Sequence, residues 1–178
     1  MNETNCKCIE MSHFIPKIGK FEKISYEQWH KDYGDNDQHT FDVVLDEIPM
    51  PKRATKGSAG YDFVTPFDIH LEPSESRVIP TGIRCKMNGG WMLCMFPKSG
   101  LGFKFKTRLA NTVGIIDADY YYADNEGHIM VKLCNEGDKP LDIAKGKAFC
   151  QGIFLPFGIT EDDETDGIRT GGFGSTGK

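Results

Sequence analysis

The sequence lacks three features that would each place it in a common functional class. Its 178 residues contain no run near the ~20 consecutive apolar residues that a membrane helix needs. The N-terminal residues lack the basic and then apolar order of a secretory signal. A net charge of −5 leaves no excess of cations for a polynucleotide. We therefore expect a cytoplasmic protein with no membrane partner and no polynucleotide partner.

Cysteines spaced for a metal are also missing. Six cysteines are present, but no pair has the CxxC spacing of a zinc ribbon. We interpret the cysteines in apolar runs as reduced core residues, because a buried thiol behaves as a small hydrophobic group. These are Cys85, Cys94, Cys134 and Cys150. A small anion is still compatible with the composition, since local cations and backbone amides can bind it.

The first forty residues predict a short helix packed on a larger domain. Ser25 is suited to cap the helix, and Gln28 three residues later can complete a capping box. Ile24 precedes the cap and can pack on Trp29. We therefore treat residues 1–40 as an N-terminal appendage.

After the appendage, the pattern becomes that of short β-strands. Apolar and polar residues alternate in 67–72, 83–87 and 129–133, and Gly, Pro and Asn separate the runs. With no helical stretch recognised between them, the strands predict an all-β core over 41–160, as a sandwich, jelly roll or barrel. The acidic and then glycine-rich residues 161–178 are typical of a flexible C-terminal arm.

Two glycine-containing segments carry groups that suit a nucleotide. Residues 97–102, PKSGLG, place Lys98 and Ser99 after a predicted strand, where they and nearby backbone amides can bind a phosphate. A strand-ending turn would use the same glycines. Residues 169–177, RTGGFGSTG, offer an arginine for phosphate and a phenylalanine for a base, or form a disordered terminus.

The segment 111–120, NTVGIIDADY, contains two acids that flank one residue. In an extended backbone, Asp117 and Asp119 would point to the same face. A carboxylate there could orient or deprotonate a water for in-line attack on phosphorus. The alternative is a hairpin with two solvated acids. Tyr120 is either a packing aromatic or a flat wall for a sugar.

Taken together, five segments resemble the five motifs of the dUTP pyrophosphatases, or dUTPases, in that family's order. The resemblance covers most of the chain from about residue 50 to its last residues. It implies a jelly-roll-like β-barrel of the dUTPase type, a homotrimer with shared active sites, and Mg²⁺-dependent hydrolysis of dUTP to dUMP and pyrophosphate. The segments are AGYDF (59–63), PKSGLG (97–102), NTVGIIDADY (111–120), GKAFCQGIF (146–154) and RTGGFGSTG (169–177).

The same resemblance implies a role for each matched residue. Asp117 would position the water that attacks the α-phosphate, and Asp62 would lie near metal-bound waters, with Mg²⁺ held mainly by the triphosphate. The remaining residues would bind the substrate dUTP. They are Lys98, Ser99 and Gly100 on the phosphates; Asn111, Gly114, Ile115, Ile116 and Met130 on uracil; Tyr120 on deoxyribose; Gln151 beside the phosphates; and Arg169, Phe173, Gly174 and Ser175 in the arm.

Three features depart from the family pattern. Lys98 stands where the family usually has Arg, so that a point charge replaces a planar fork. An insertion at 121–126, YYADNE, lies between the water-positioning acid and Met130. Arg169 is also nearer to Phe173 than is usual. The role of the N-terminal helix does not follow from the resemblance.

Two other functions are compatible with the sequence. A dCTP deaminase shares the fold, but its chemistry needs an acid and a base placed to attack C4 of cytosine. A non-catalytic, nucleotide-sensing regulatory protein would keep the binding residues without turnover. The intact Asp117 and the complete arm favour catalysis.

Overall fold

A computed structural model of the chain describes residues 15–33, 45–169 and 171–172. These residues form twelve short strands and two α-helices, with 3-10 turns at Leu45–Glu47 and Ala118–Tyr122. The helices are α1 (Tyr26–Tyr33) and α2 (Ser99–Phe105). The strands are β1 (Gly19–Lys23), β2 (Lys52–Arg53), β3 (Tyr61–Val64), β4 (Ile69–Leu71), β5 (Ser76–Pro80), β6 (Ile83–Met87), β7 (Trp91–Pro97), β8 (Thr107–Leu109), β9 (Gly114–Ile116), β10 (Met130–Asn135), β11 (Leu141–Ile143) and β12 (Ala148–Pro156).

Within the described ranges, the strands pair in four antiparallel sheets. The largest has the order β2-β3-β12-β7-β9, and a second has the order β5-β10-β8. Two pairs, β1 with β6 and β4 with β11, complete the set. Most neighbours in a sheet are distant in sequence, as in a jelly roll. The all-β, jelly-roll-like expectation is confirmed, although these strands divide into separate sheets.

The core lies between these sheets and follows the predicted alternation. Along β10, Val131 and Leu133 are buried while Lys132 between them is exposed. Side chains of successive strand residues point to opposite faces, so one face of each strand enters the core. Fully buried side chains from several strands meet there: Phe63, Ile79, Leu93, Leu109, Leu141 and Phe149.

The N-terminal segment is bonded to the main domain through a strand as well as a helix. Strand β1, which the sequence pattern did not indicate, pairs with β6 along its length. The predicted cap is confirmed, since the Gln28 amide donates to Ser25 Oγ at 3.0 Å. Ile24 and Trp29 are both buried in one cluster, as predicted for the residues flanking the cap. The helix therefore rests on the body of the protein.

Helix α2 was not predicted, and it begins inside the segment 97–102, for which a strand-ending turn was the structural alternative. The backbone amides of Leu101 and Gly102 donate to the Lys98 carbonyl at 3.0 and 3.1 Å, which begins the helix. Lys106 ends it in the left-handed conformation, at φ 51°. Glycines have low helix propensity, and this is why the sequence pattern did not reveal the helix. No helix in the described ranges is long and apolar enough to cross a membrane.

Candidate active site

One group of predicted residues meets at the end of the largest sheet. The pairing of β3 with β12 sets Asp62 opposite Gln151, and β12 in turn sets Gln151 opposite Phe96 of β7. Lys98 follows directly after β7, and its Nζ donates to Asp62 Oδ1 at 2.7 Å. Both side chains are partly exposed. Strand register therefore brings together a cation, a carboxylate and an amide.

Ser99 and Gly100 extend this group along the first turn of α2. Both residues are exposed. The first backbone N–H groups of any helix have no partner within the helix, so they are available to an external acceptor. Together with the Lys98 ammonium, they form a surface that can accept the oxygens of a phosphate.

A second group forms where β9 ends. Asp117 has extended backbone, but Asp119 lies in the 3-10 turn, so the expected extended segment is wrong beyond Asp117. The two carboxylates still converge, because both accept from one guanidinium. Arg169 Nη2 lies 2.5 Å from Asp117 Oδ2, and Arg169 Nε lies 3.0 Å from Asp119 Oδ1. The Arg169 side chain is only 13% exposed, whereas Asp117 is 48% exposed.

Tyr120 lies beneath this arginine. The Arg169 guanidinium carbon is 5.6 Å from the centroid of the Tyr120 ring. The phenol donates to the His128 carbonyl at 2.8 Å and accepts from Asn125 Nδ2 at 2.7 Å. Burial raises the pKa of Tyr120, so the hydroxyl stays protonated at neutral pH. The role of Tyr120 beside a deoxyribose stays a prediction.

A cavity of about 370 Å³ opens along β9. Its size suits a nucleoside, since small-molecule pockets start near ~300 Å³. The five residues predicted to read uracil all line it: Asn111, Gly114, Ile115, Ile116 and Met130. Buried Met95 and Leu109 supply apolar wall. The structure therefore groups these residues, and Met130 reaches the cavity despite the insertion that precedes it.

The two groups and the cavity do not converge on one point within a single chain. Ile116 pairs with Leu93 near the start of β7, whereas Lys98 follows the end of the same strand. At ~3.4 Å per residue, the register places Asp117 roughly 20 Å from Lys98. The phosphate group and the acid group therefore lie at opposite ends of β7.

Comparison with known proteins shows the family of the chain. The sequence model described as dUTPase matches residues 46–177. The chain belongs to the dUTPase family. It is 43% identical over 133 residues to the deoxyuridine 5'-triphosphate nucleotidohydrolase of Lactococcus lactis, which covers 73% of this chain and 89% of that protein.

Solved structures of dUTPases share the fold. The dUTPase of Streptococcus mutans superposes with a TM-score of 0.62 at 32% identity, over 79% of this chain and 98% of that one. A mutant dUTPase from phage phi11 of S. aureus, reported with a structural Mg(II) ion, gives 0.60 at 18% identity, over 86% of this chain and all of that one (100%). At that identity, the second likeness supports the fold alone.

For this dUTPase-family chain, the main residue that sequence reasoning missed is Asn125. It lies in the insertion, and its side chain bonds the hydroxyl of Tyr120. The Asn-Glu-Gly order at 125–127 indicates a turn in the sequence, but nothing local indicates which side chain the amide would reach. The lining residues Val78 and Lys132 were missed for the same reason.

Part of the predicted arm lies outside the described residues. Phe173, Gly174 and Ser175 belong to that part, so their roles stay predictions. Across the described ranges, there is no group of three or more His, Cys, Asp or Glu that could hold a metal ion. A dUTPase that takes its Mg²⁺ with the triphosphate needs no such group, because Mg²⁺ keeps several waters and phosphate oxygens as ligands.

Proposed function

We propose that this protein hydrolyses dUTP to dUMP and pyrophosphate, which removes dUTP from the nucleotide pool. The observation that carries the proposal is the position of Asp117. It follows directly on the strand that lines a nucleoside-sized cavity, and it is open to solvent on one side. A base so placed can act at the 5' side of a bound nucleoside.

The cavity supports recognition of a pyrimidine through backbone groups. Strand β9 is the last strand of its sheet in the described ranges, paired on one side with β7. An edge strand presents alternating N–H and C=O groups on its outer side. Uracil offers alternating acceptors and a donor at its edge, so it can pair with β9 as a further strand would. Asn111 supplies a side-chain amide beside it.

Chemistry would begin at Asp117. Its carboxylate accepts a proton from a water, and the water oxygen bonds to the α-phosphorus. The bond between that phosphorus and the bridging oxygen breaks in line, and pyrophosphate leaves with the electron pair. Little covalent chemistry falls to the protein, so positioning and charge carry the catalysis.

Mg²⁺ would reach the site as part of the substrate. When bound to the triphosphate, it neutralises charge that develops on the leaving pyrophosphate. Asp62 would accept hydrogen bonds from the waters bound to Mg²⁺, because its carboxylate lies beside Lys98, which would hold the phosphates. Lys98 would hold a phosphate oxygen as a point charge.

A homotrimer with shared active sites explains the distance between the two groups. A neighbouring subunit can set its Asp117 beside the Lys98 of another chain, which one chain alone does not do. The single chain also exposes apolar side chains at and after the end of β12, which is typical of a subunit interface. These are Leu155, Phe157 and Ile159.

The arm would close over the bound nucleotide. Arg169 already lies at the acids, and its guanidinium can exchange a carboxylate for phosphate oxygens in the same planar geometry. Phe173 would then stack on the base. Closure would exclude water other than the one that reacts.

The test is incubation with dUTP, dCTP, dTTP and UTP in the presence of Mg²⁺, with pyrophosphate and ammonia assayed separately. We expect rapid release of pyrophosphate from dUTP and a far slower release from the other three. Ammonia from dCTP would select a deaminase instead, and neither product would select a nucleotide-sensing regulatory protein. Omission of Mg²⁺ in a parallel reaction checks the metal requirement.

A further inference from the structure

The insertion at 121–126 and the N-terminal appendage are bonded to each other. Both lie outside the family's core motifs, yet two contacts join them, and another joins the appendage to His128, two residues after the insertion. Two of these contacts involve carboxylates of the appendage, and one involves a carboxylate of the insertion. They are Tyr121 Oη to Glu22 Oε2 at 2.6 Å, Ser25 N and Oγ to the Glu126 carboxylate at 2.8 and 2.5 Å, and His128 Nδ1 to Asp32 Oδ2 at 2.6 Å.

The contact made by His128 holds the end of the insertion against the core. His128 is fully buried, and its Nε2 accepts from the Gly82 amide at 2.9 Å. Its Nδ1 therefore carries the proton and donates to Asp32 of α1. The Ser25 contact also replaces the return bond of the predicted capping box, since Glu126 rather than Gln28 accepts from the Ser25 amide.

The insertion turns back tightly onto Tyr120. Glu126 and Gly127 both have left-handed backbone, at φ 56° and 68°. A Cβ on Gly127 would lie 2.6 Å from the Tyr120 carbonyl oxygen, so only glycine fits there. This turn places Asn125 directly over the edge of the active site.

Asn125 makes two hydrogen bonds. Its Nδ2 donates to Tyr120 Oη at 2.7 Å, and its Oδ1 accepts from the Gly127 amide at 3.2 Å. The same side chain therefore joins the predicted sugar wall to the turn at Gly127.

We propose that Asn125 is a positioning residue of the active site. It fixes the orientation of Tyr120, while the appendage holds the insertion in place. The proposal rests on the proposed function, in which Tyr120 packs on the deoxyribose. Loss of the amide removes one of the described partners of the Tyr120 hydroxyl.

Two variants separate the positioning role from a general loss of packing. Asn125→Ala removes both functional atoms, whereas Asn125→Asp keeps the shape and the acceptor for the Gly127 amide but cannot donate to Tyr120. Asp124→Asn is the matched control, because Asp124 is exposed in the same insertion. Thermal midpoints check that each variant is folded.

The readouts are kcat and KM for dUTP, the ratio of kcat/KM for dUTP over UTP, and binding of a non-hydrolysable imido analogue of dUTP by calorimetry. We expect both Asn125 variants to lose about 10-fold in kcat/KM and about 5-fold in the dUTP/UTP ratio, the order expected for one buried hydrogen bond. A Ser25→Ala, Glu126→Gln double variant should shift the same ratio in the same direction by a smaller factor. Asp124→Asn should match the wild type.

Retention of wild-type kcat/KM and of the wild-type dUTP/UTP ratio in Asn125→Asp would overturn the proposal, and this variant decides even if Asn125→Ala fails to fold. Failure of the proposed function has a different signature. In that case the wild type releases no pyrophosphate from dUTP. The positioning role of Asn125 is then tested by the affinity for the imido analogue of dUTP. Equal affinities of wild type and Asn125→Asp, or no binding to the wild type, would contradict the positioning role.

Discussion

Asp117 stands where β9 ends and a 3-10 turn begins, with extended backbone at φ −78° and ψ 158°. Its carboxylate shares the Arg169 guanidinium with Asp119, so the structure holds two acids within reach of one arm residue. The two acids differ in their relation to the cavity. Asp117 directly follows the strand that lines it, whereas Asp119 lies in the 3-10 turn. This difference is the basis for assigning the reaction to one of them.

At this scale, we predict that Asp117→Asn lowers kcat for dUTP by about 10²–10⁴-fold, the usual effect of losing a positioned base. The amide keeps the size of the carboxylate but accepts no proton from water, so KM should change little. Steady-state release of pyrophosphate measures both constants. Asp119→Asn is the matched control, with the same chemical change at the same arginine. An equal loss of kcat in Asp119→Asn, or near-normal kcat in Asp117→Asn, would contradict the assignment.

At the scale of elements, three carboxylates connect the N-terminal segment to the insertion and to His128 just after it. A hydrogen bond from Tyr121 lowers the pKa of Glu22. Burial raises the pKa of Asp32, but hydrogen bonds from His128 and Gln28 outweigh it and the net shift is downward. Burial also raises the pKa of Glu126, but hydrogen bonds from Ser25 outweigh this effect, and the net shift of the pKa is downward. All three groups therefore stabilise the docked elements in their charged form.

These shifts predict an acid-sensitive contact between appendage and insertion. A carboxyl group whose pKa is lower in the folded state stabilises the fold at any pH above the pKa it has in the unfolded state, which is about 4. That contribution is lost as the pH falls through the pKa of the folded state. We expect the free energy of unfolding to fall between about pH 5 and pH 3, and to fall less in Glu126→Gln. Urea unfolding at fixed protein concentration and several pH values measures this. If the free energy of unfolding falls equally with pH in the wild type and in Glu126→Gln, Glu126 does not contribute to the acid sensitivity.

At the scale of the whole molecule, the register of β7 separates the acid from the phosphate group. Ile116 lies opposite Leu93, and Asp62 reaches Lys98 at the far end of the sheet. Because a β-sheet is stiff, no side-chain rotation closes a gap of roughly 20 Å. In the proposed function, a second chain completes the site, as in the homotrimer proposed above.

A shared site predicts complementation between two inactive variants. Asp117→Asn and Lys98→Ala should each be nearly inactive alone, whereas mixed trimers contain sites with a wild-type Lys98 from one chain and a wild-type Asp117 from another. Each mixed trimer contains one such site out of three, so the mixed trimers should show about a third of the wild-type activity. Co-expression of the two differently tagged chains, followed by purification on both tags, provides the measurement. Mixed trimers as inactive as their parents would place both residues in one chain's site.

The sequence by itself determined the chemistry that the chain carries and the faces that it buries. Strand burial follows from alternation, as at Val131 and Leu133, and the Ser25 cap follows from local hydrogen bonding. The motif residues at 97–102 and 111–120 also gave the family. Such features depend on neighbours a few residues apart, and this is why they can be read from the sequence.

Only the tertiary structure decided which distant residues meet. It brought Asp62 to Lys98, set Asn125 on Tyr120 and joined the Glu126 carboxylate to Ser25. Each of these contacts depends on strand register and on left-handed turns, whose cost is offset by packing far away in the sequence. No local pattern encodes that balance, so only the folded chain shows that the insertion, which interrupts a motif in the sequence, packs back onto Tyr120.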